Sequence, residues 1–177
     1  MRYSRGFTLI ELMVAVALVA ILLSLAVPSF RDTILKNRVS AATSDLVAAL
    51  DMARSEAIKR GVEVYLVAPS PGLGGNKGWR IQMKKPSPPL PADPPADAGV
   101  LRVREALDQV TVTPTGDTII TYGAQGTVTA TVGSATVAYP VTITMQSANC
   151  PAGLANGRRK IEINKVGRLT TTVENCS

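Results

Sequence analysis

The sequence lacks histidine altogether, and aromatic residues make up only 4% of its 177 positions. Histidine is the commonest general base, proton shuttle and metal ligand near neutral pH, so its absence removes the usual basis for such sites. Ser, Asp and Lys are scattered without a nucleophile–base pair or a paired-carboxylate arrangement. The sequence therefore predicts a protein that is not an enzyme and that holds no metal or cofactor.

Cysteine is scarce as well, since only Cys150 and Cys176 occur, and neither has the spacing of a zinc site. A single disulfide is the natural interpretation, and two unrelated buried thiols are the alternative. A disulfide requires an oxidising compartment, which agrees with a domain outside the cytoplasmic membrane. Closing a loop of roughly 26 residues would stabilise the fold by about 3–4 kcal/mol.

Charge is nearly absent from residues 7–30, where Glu11 is the only ionisable side chain. This apolar stretch is long enough to span a bilayer as a helix. Arg2 and Arg5 precede it and should stay in the cytoplasm, which leaves the C-terminal domain outside. The sequence therefore predicts a single-pass membrane protein with its C-terminal domain outside the cytoplasm.

The residues before this stretch differ from an ordinary secretory signal, whose cleavage site follows the apolar region. Here Gly6-Phe7 precedes the apolar region, within the sequence GFTLIE. These residues resemble the processing site of type IV prepilins, in which a peptidase cuts after the Gly and methylates the new N-terminal residue. The resemblance implies a leader of residues 1–6 and a mature protein that begins at Phe7. It also implies a location in a bacterial inner membrane, with the C-terminal domain in the periplasm, before assembly into a pilus or pseudopilus.

Glu11 is a carboxylate inside the predicted span, where it costs several kcal/mol unless it finds a partner. The resemblance implies that this partner is the N-terminal amine of a neighbouring subunit, and that the pair sets the axial register of a filament. Such an ion pair is strong in hydrocarbon and weak in water. The alternative is that Glu11 snorkels to the membrane interface, because it lies close to the start of the span.

The chain from Arg31 to Arg60 has apolar residues at helical spacing, which predicts an amphipathic continuation of the same helix. We expect the helix to run from about Thr8 to Arg60, with Gly61 as its C-terminal cap. Pro28 predicts a bend near Ser24, although packing alone could also explain a proline there. The apolar stripe consists of Leu35, Val39, Ala42, Leu46, Leu50, Ala53 and Ala57.

Short alternating or β-branched runs follow Gly61, separated by Gly, Pro or Asn. They predict an antiparallel β-domain packed on the helix, hence an α+β protein with a long N-terminal helix. The predicted domains are the leader 1–6, the transmembrane half 7–30, the amphipathic half 31–61 and the β-rich domain 62–177. The predicted strands are 62–67, 79–83, 100–104, 110–113, 118–122, 127–132, 137–145, 160–164 and 169–173.

A proline-rich loop interrupts the β-domain between Lys85 and Asp97. Its composition predicts an exposed segment in extended conformation. An inert loop is the simple interpretation, and a PxxP-type docking ligand is the alternative.

The resemblance then narrows to one group of pilin-like proteins. The sequence ARSEAIKR at 53–60, Gly78-Trp79 at a strand start and Gly167-Arg168 before a last strand look like the minor pilin and pseudopilin group that includes FimT, FimU and GspH. The resemblance implies a pilin-like fold and a place in the tip or priming complex of a type IV pilus or a type II secretion pseudopilus. The implied partners are other pilins and minor pilins, the prepilin peptidase and the inner-membrane assembly platform.

The segment between the two cysteines has five basic side chains against Glu162 and Glu174. Such an excess is compatible with a polyanion-binding patch, and a hairpin turn is predicted at 165–167. Some FimT-type pilins are DNA receptors in natural transformation and have a Gly-Arg-x-Arg motif, but here the second Arg is replaced by Thr170. DNA binding is thus one hypothesis, and a solvated basic turn is the other. The candidate residues are Arg158, Arg159, Lys160, Lys165 and Arg168.

Overall fold

The computed structural model describes residues 8–69, 73, 78–86, 89–91, 97–105, 107, 109–148, 150, 152 and 154–176, without the side chains of residues 25–29. The chain divides into two compact units, Met1–Leu35 and Lys36–Ser177, and each is considered by itself. The predicted cleavage site at Gly6-Phe7 lies outside the described residues.

One helix, α1, runs from Leu9 to Arg60, close to its predicted bounds. In the first unit, every described side chain from Thr8 to Ser24 is exposed. No helix among the described residues is both long and apolar enough to cross a membrane. The predicted span 7–30 includes positions outside that described part, so the span stays a prediction. The side chain of Pro28 also lies outside it, so the bend stays a prediction too.

The second half of α1 buries its predicted stripe. Thr43 and Ala49 are buried beside it, and the Thr43 hydroxyl donates a hydrogen bond of 2.7 Å to the Val39 carbonyl, which satisfies this polar group within the helix. Gly61 ends α1 in the left-handed conformation, with its N–H 2.9 Å from the Ala57 carbonyl oxygen. The buried members of the stripe are Val39, Ala42, Leu46, Leu50, Ala53 and Ala57.

The described residues of the second unit form ten strands in two antiparallel sheets. The first sheet has the order β3-β2-β1-β5-β6-β7, and the second has the order β10-β9-β8-β4. The first sheet contains β1 Val64–Ala68, β2 Trp79–Gln82, β3 Val100–Arg104, β5 Thr118–Tyr122, β6 Val128–Val132 and β7 Ala135–Thr136. The second contains β4 Val110–Thr113, β8 Val141–Ser147, β9 Arg158–Ile163 and β10 Leu169–Glu174.

Most strands fall where the residue pattern predicts them, and three have the predicted bounds. The predicted strand 137–145 is wrong over residues 137–140, because β7 ends at Thr136 and β8 begins only at Val141, directly after Pro140. A proline has no N–H to donate to a ladder, so it interrupts pairing at this point. The pattern of β8 is a clean alternation, with Val141, Ile143 and Met145 buried and the intervening residues half-buried.

The central strand β1 is buried along its whole length, because both faces of the first sheet are covered. Val64 and Leu66 join the core cluster that includes the buried stripe of α1. On the other face, Tyr65 and Val67 pack in a smaller cluster with Ile119 and Leu90.

The prediction of a wholly exposed proline-rich loop is therefore wrong at Leu90, which is only 8% exposed. Its N–H donates to the Asp117 carboxylate at 2.9 Å. Buried Arg80 donates to the Gln82 side chain at 2.8 Å and to the Pro91 carbonyl at 3.1 Å. These bonds hold the middle of the loop on the sheet, because a buried guanidinium must find acceptors.

Candidate processing, assembly and DNA-binding sites

Glu11 lies in the first turn of α1 and bonds to the residue that precedes the helix. The Thr8 N–H donates to Glu11 Oε2 at 3.0 Å, and the Thr8 hydroxyl donates to the same oxygen at 3.2 Å. The Glu11 N–H in turn lies 3.2 Å from Thr8 Oγ1. This reciprocal arrangement is a capping box, which satisfies N–H groups that a helix N-terminus leaves unpaired.

Sequence reasoning treated Glu11 as an isolated acid and missed Thr8. The signal was present, because Thr and Glu three positions apart, followed by an apolar run, is the sequence pattern of a capping box. Around the carboxylate, the surface is apolar and formed by Ile10, Val14, Ala15 and Leu18. The free chain thus holds this acid at the helix end, on an exposed apolar face.

Cys150 and Cys176 form the predicted disulfide, with Cα atoms 5.8 Å apart. The alternative of two separate thiols is therefore wrong. The Cys176 N–H also donates to the Leu154 carbonyl at 3.1 Å. The bond and this contact hold the end of β10 against the segment that leads into β9.

Replacing both cysteines by serine should lower the free energy of unfolding by about 3–4 kcal/mol, because the unfolded chain regains the entropy of an open loop. Denaturant unfolding of the detergent-solubilised full chain measures this difference. A reducing agent should destabilise the wild-type protein and leave the Cys150→Ser/Cys176→Ser variant unaffected. Equal stability of the two proteins under oxidising conditions would contradict the expectation.

The five candidate DNA-binding residues do not form one free cationic patch. Arg158 and Lys160 lie on one face of β9, where Arg158 Nε is 3.7 Å from the Glu174 carboxylate and Lys160 Nζ is 2.7 Å from that of Glu162. The bond to Glu162 raises the pKa of Lys160 above its ordinary value. The side chain of Arg159 points to the opposite face of the strand, because neighbours in a strand alternate.

The remaining two candidates, Lys165 and Arg168, are exposed in the predicted β9–β10 turn. This turn is held by its backbone against other elements of the domain. The Lys165 carbonyl accepts the Val128 N–H at 3.0 Å, and the Val166 carbonyl accepts the Arg54 guanidinium at 2.9 Å. Sequence reasoning missed this role of Arg54, which joins α1 to the hairpin.

Gly167 should be the least replaceable residue of this turn. It has a φ of 76°, and a Cβ there would lie 2.4 Å from the Gly126 carbonyl oxygen. Gly133 is the matched control, since its φ is also positive, at 60°, but a Cβ would meet nothing within 4 Å. We expect Gly133→Ala to cost about 1–2 kcal/mol for the backbone conformation, and Gly167→Ala to cost about 1–3 kcal/mol more for the clash.

Denaturant unfolding of the two variants beside the wild-type protein measures this difference. Equal losses of stability for Gly167→Ala and Gly133→Ala would show that the turn yields easily and does not hold the hairpin against Gly126.

Two family descriptions match the chain. The family described as type II transport protein GspH matches residues 42–167, and the prokaryotic N-terminal methylation motif matches residues 1–27. The first match alone covers well over half of the chain. The chain belongs to the GspH family. Its members are structural pilin or pseudopilin subunits, and this chain also carries the prokaryotic N-terminal methylation motif.

Individual curated proteins are similar to part of the chain. A fimbrial protein of Pseudomonas aeruginosa is 42% identical over 64 residues, which are 36% of this chain and 41% of that protein. The type II secretion system core protein G of Escherichia coli K12 is 36% identical over 99 residues, 51% of this chain and 66% of that protein. The chain thus spans less than half the length of the first relative and about two thirds of the other.

Solved structures show the same fold at lower identity. The crystal structure of the type IV minor pilin FimU of Pseudomonas aeruginosa matches with a TM-score of 0.53 and 21% identity, over 77% of this chain and 89% of that one. A second crystal form of FimU matches with a TM-score of 0.50. The predicted pilin-like fold, a long helix on antiparallel sheet, is confirmed.

Proposed function

We propose that this GspH-family protein is made as a prepilin, cut after Gly6, methylated at Phe7 and assembled as a minor subunit of a pilus or pseudopilus. The match of the N-terminal methylation motif over residues 1–27, joined to a GspH domain, carries this proposal. Before assembly, residues 7–30 anchor the subunit in the inner membrane, and the β-domain lies in the periplasm.

Glu11 is the assembly residue in this proposal. In the capping box its carboxylate already accepts hydrogen bonds from Thr8 at 3.0 and 3.2 Å, so it is held at the N-terminal end of α1. The new amine of a neighbouring subunit would bind the same carboxylate among apolar side chains, where an ion pair is far stronger than in water. Partners are then other pilins, the prepilin peptidase and the assembly platform of the membrane.

The N-terminus of the full chain tests the proposal directly. Protein isolated from a bacterium with an active prepilin peptidase should begin at methylated Phe7, and protein from a strain without that peptidase should retain residues 1–6. The processed form should also appear in sheared surface filaments or copurify with other minor subunits. Those copurifying subunits identify the machine, because secretion and pilus components differ. Retention of residues 1–6 in the peptidase-positive strain would refute the proposal.

DNA binding stays a prediction, and the contacts of the described candidate residues do not favour it. Two of the five candidate cations are paired with Glu162 and Glu174, and a third lies on the other face of β9.

A further inference from the structure

The last strand, β10, is an edge strand of the second sheet. Its other side pairs with β9, in a register that places Thr170 opposite Glu162 and Thr172 opposite Lys160. The Asn164 N–H donates to the Arg168 carbonyl at 3.2 Å, which makes these two residues a hydrogen-bonded pair of the two strands. In an antiparallel pair, hydrogen-bonded positions recur at every second residue. Thr170, Thr172 and Glu174 therefore bond to β9, while the backbone N–H and C=O groups of Leu169, Thr171 and Val173 point away from the sheet.

The side chains of these three residues lie on the core side of the sheet, because Leu169 and Thr171 are paired with buried Ile163 and Ile161. That side is only partly covered at the edge, since Val173 is 47% exposed and Thr171 is exposed. Nothing in the sequence LTTTVE blocks pairing, because it has no proline and a single charge at its end. Natural edge strands are usually protected by proline, inward charges, bulges or shortness.

The other edges have such protection. β3 has Arg102 and Arg104 and a register shift in its pairing with β2. β7 has two residues, and β4 has four. Among the strands that the structure describes, β10 is thus the long edge that can accept a further strand.

We propose that β10 pairs with β10 of a second copy of this chain, antiparallel and centred on Thr171. This register is self-complementary in three respects. The outward N–H and C=O groups of Thr171 meet those of the other Thr171, and those of Leu169 meet those of Val173. On the core side, Leu169 and Val173 cover one another. On the opposite face, Arg168 lies across from Glu174 of the second copy.

The charges fit this arrangement without a large rearrangement. Arg168 is exposed, and both of its hydrogen bonds to Asn164 use its backbone, because its carbonyl accepts from the Asn164 N–H and its own N–H donates to Asn164 Oδ1 at 2.8 Å. Glu174 is half-buried, and the Arg158 Nε of its own chain lies 3.7 Å from its carboxylate. Because both copies use the same strand, the contact is isologous and closes at two chains. The four-stranded sheet would become a continuous eight-stranded sheet across the dimer.

The dissociation constant of the dimer tests this pairing. It is obtained from the mass of the detergent-solubilised full chain, measured by light scattering over a concentration series. The wild-type protein should reach the mass of a dimer. Arg168→Glu and Glu174→Arg each replace two attractive cross-strand pairs by repulsive ones, so each should weaken the dimer about tenfold. An equimolar mixture of these two variants should restore it, because both cross-strand pairs become attractive again.

A backbone variant tests the hydrogen bonds. Thr171→Pro removes an N–H that points away from β9, so it should abolish the dimer and leave the unfolding midpoint close to that of the wild-type chain. Thr171→Val keeps the N–H and should still dimerise. The pairing would be overturned by a wild-type chain that stays monomeric. This holds also if that monomer instead binds an extended peptide of another pilin. It would also be overturned by a dimer that Arg168→Glu does not weaken, or by a mixture of variants that fails to restore it.

Discussion

Replacing Gly6 by Leu is expected to leave residues 1–6 attached to the chain. Glycine has no Cβ, so its backbone can approach the groups of another protein more closely than that of any other residue. A bulky side chain beside the scissile bond would displace that bond in the peptidase, and a misplacement of about 1 Å can slow a reaction about 100-fold. Intact mass spectrometry of the membrane-extracted protein measures the fraction that begins at Phe7, which should fall from nearly all to nearly none.

A matched control separates the scissile position from the leader as a whole. Ser4→Leu adds the same side chain two positions earlier and should leave processing close to that of the wild-type chain. Gly6→Ala, with a single methyl group, should be cut more slowly than the wild-type chain and faster than Gly6→Leu. Normal processing of Gly6→Leu would mean that the methylation motif is not a cleavage site in this protein.

The fold could be predicted from the sequence wherever one local pattern dominates. The helix from Leu9 to Arg60 follows from an uninterrupted apolar and then amphipathic run that ends at a glycine. Strands such as Val100–Arg104 and Thr118–Tyr122 are bounded by turn residues and need no information about their neighbours. The disulfide could be predicted because two cysteines in one chain have one possible intramolecular pairing.

The rest depends on contacts between residues far apart in the chain, which composition does not reveal. Leu90 lies in a proline-rich segment that looks exposed, yet it covers Ile119 on the first sheet. The basic residues of β9 look like one cluster in sequence, but alternation puts Arg159 on the opposite face and pairing brings Glu174 to Arg158. A charge count along the chain therefore overestimated the free positive charge of the domain.

Replacing Glu11 by Ala should leave processing intact and abolish incorporation into filaments. The carboxylate and the amine of a neighbouring subunit, at about 4 Å and an effective dielectric constant of about 20, would attract each other by about 4 kcal/mol. Losing that attraction should lower incorporation about 1,000-fold, because each tenfold change in an equilibrium constant corresponds to about 1.4 kcal/mol. The measurement is the ratio of the chain in sheared filaments to the processed chain in the membrane.

The capping box makes a sharper version of this experiment possible, because Glu11 has two roles that different substitutions separate. Glu11→Gln keeps an oxygen that can accept from Thr8, since glutamine also serves in capping boxes, but it removes the charge. Thr8→Val removes the hydroxyl at 3.2 Å and keeps the carboxylate. If the charge drives assembly, Glu11→Gln should fail like Glu11→Ala, while Thr8→Val should still assemble. If the acid only caps its own helix or snorkels to the interface, Glu11→Gln should assemble normally, and the proposed pairing with a neighbouring amine would be wrong.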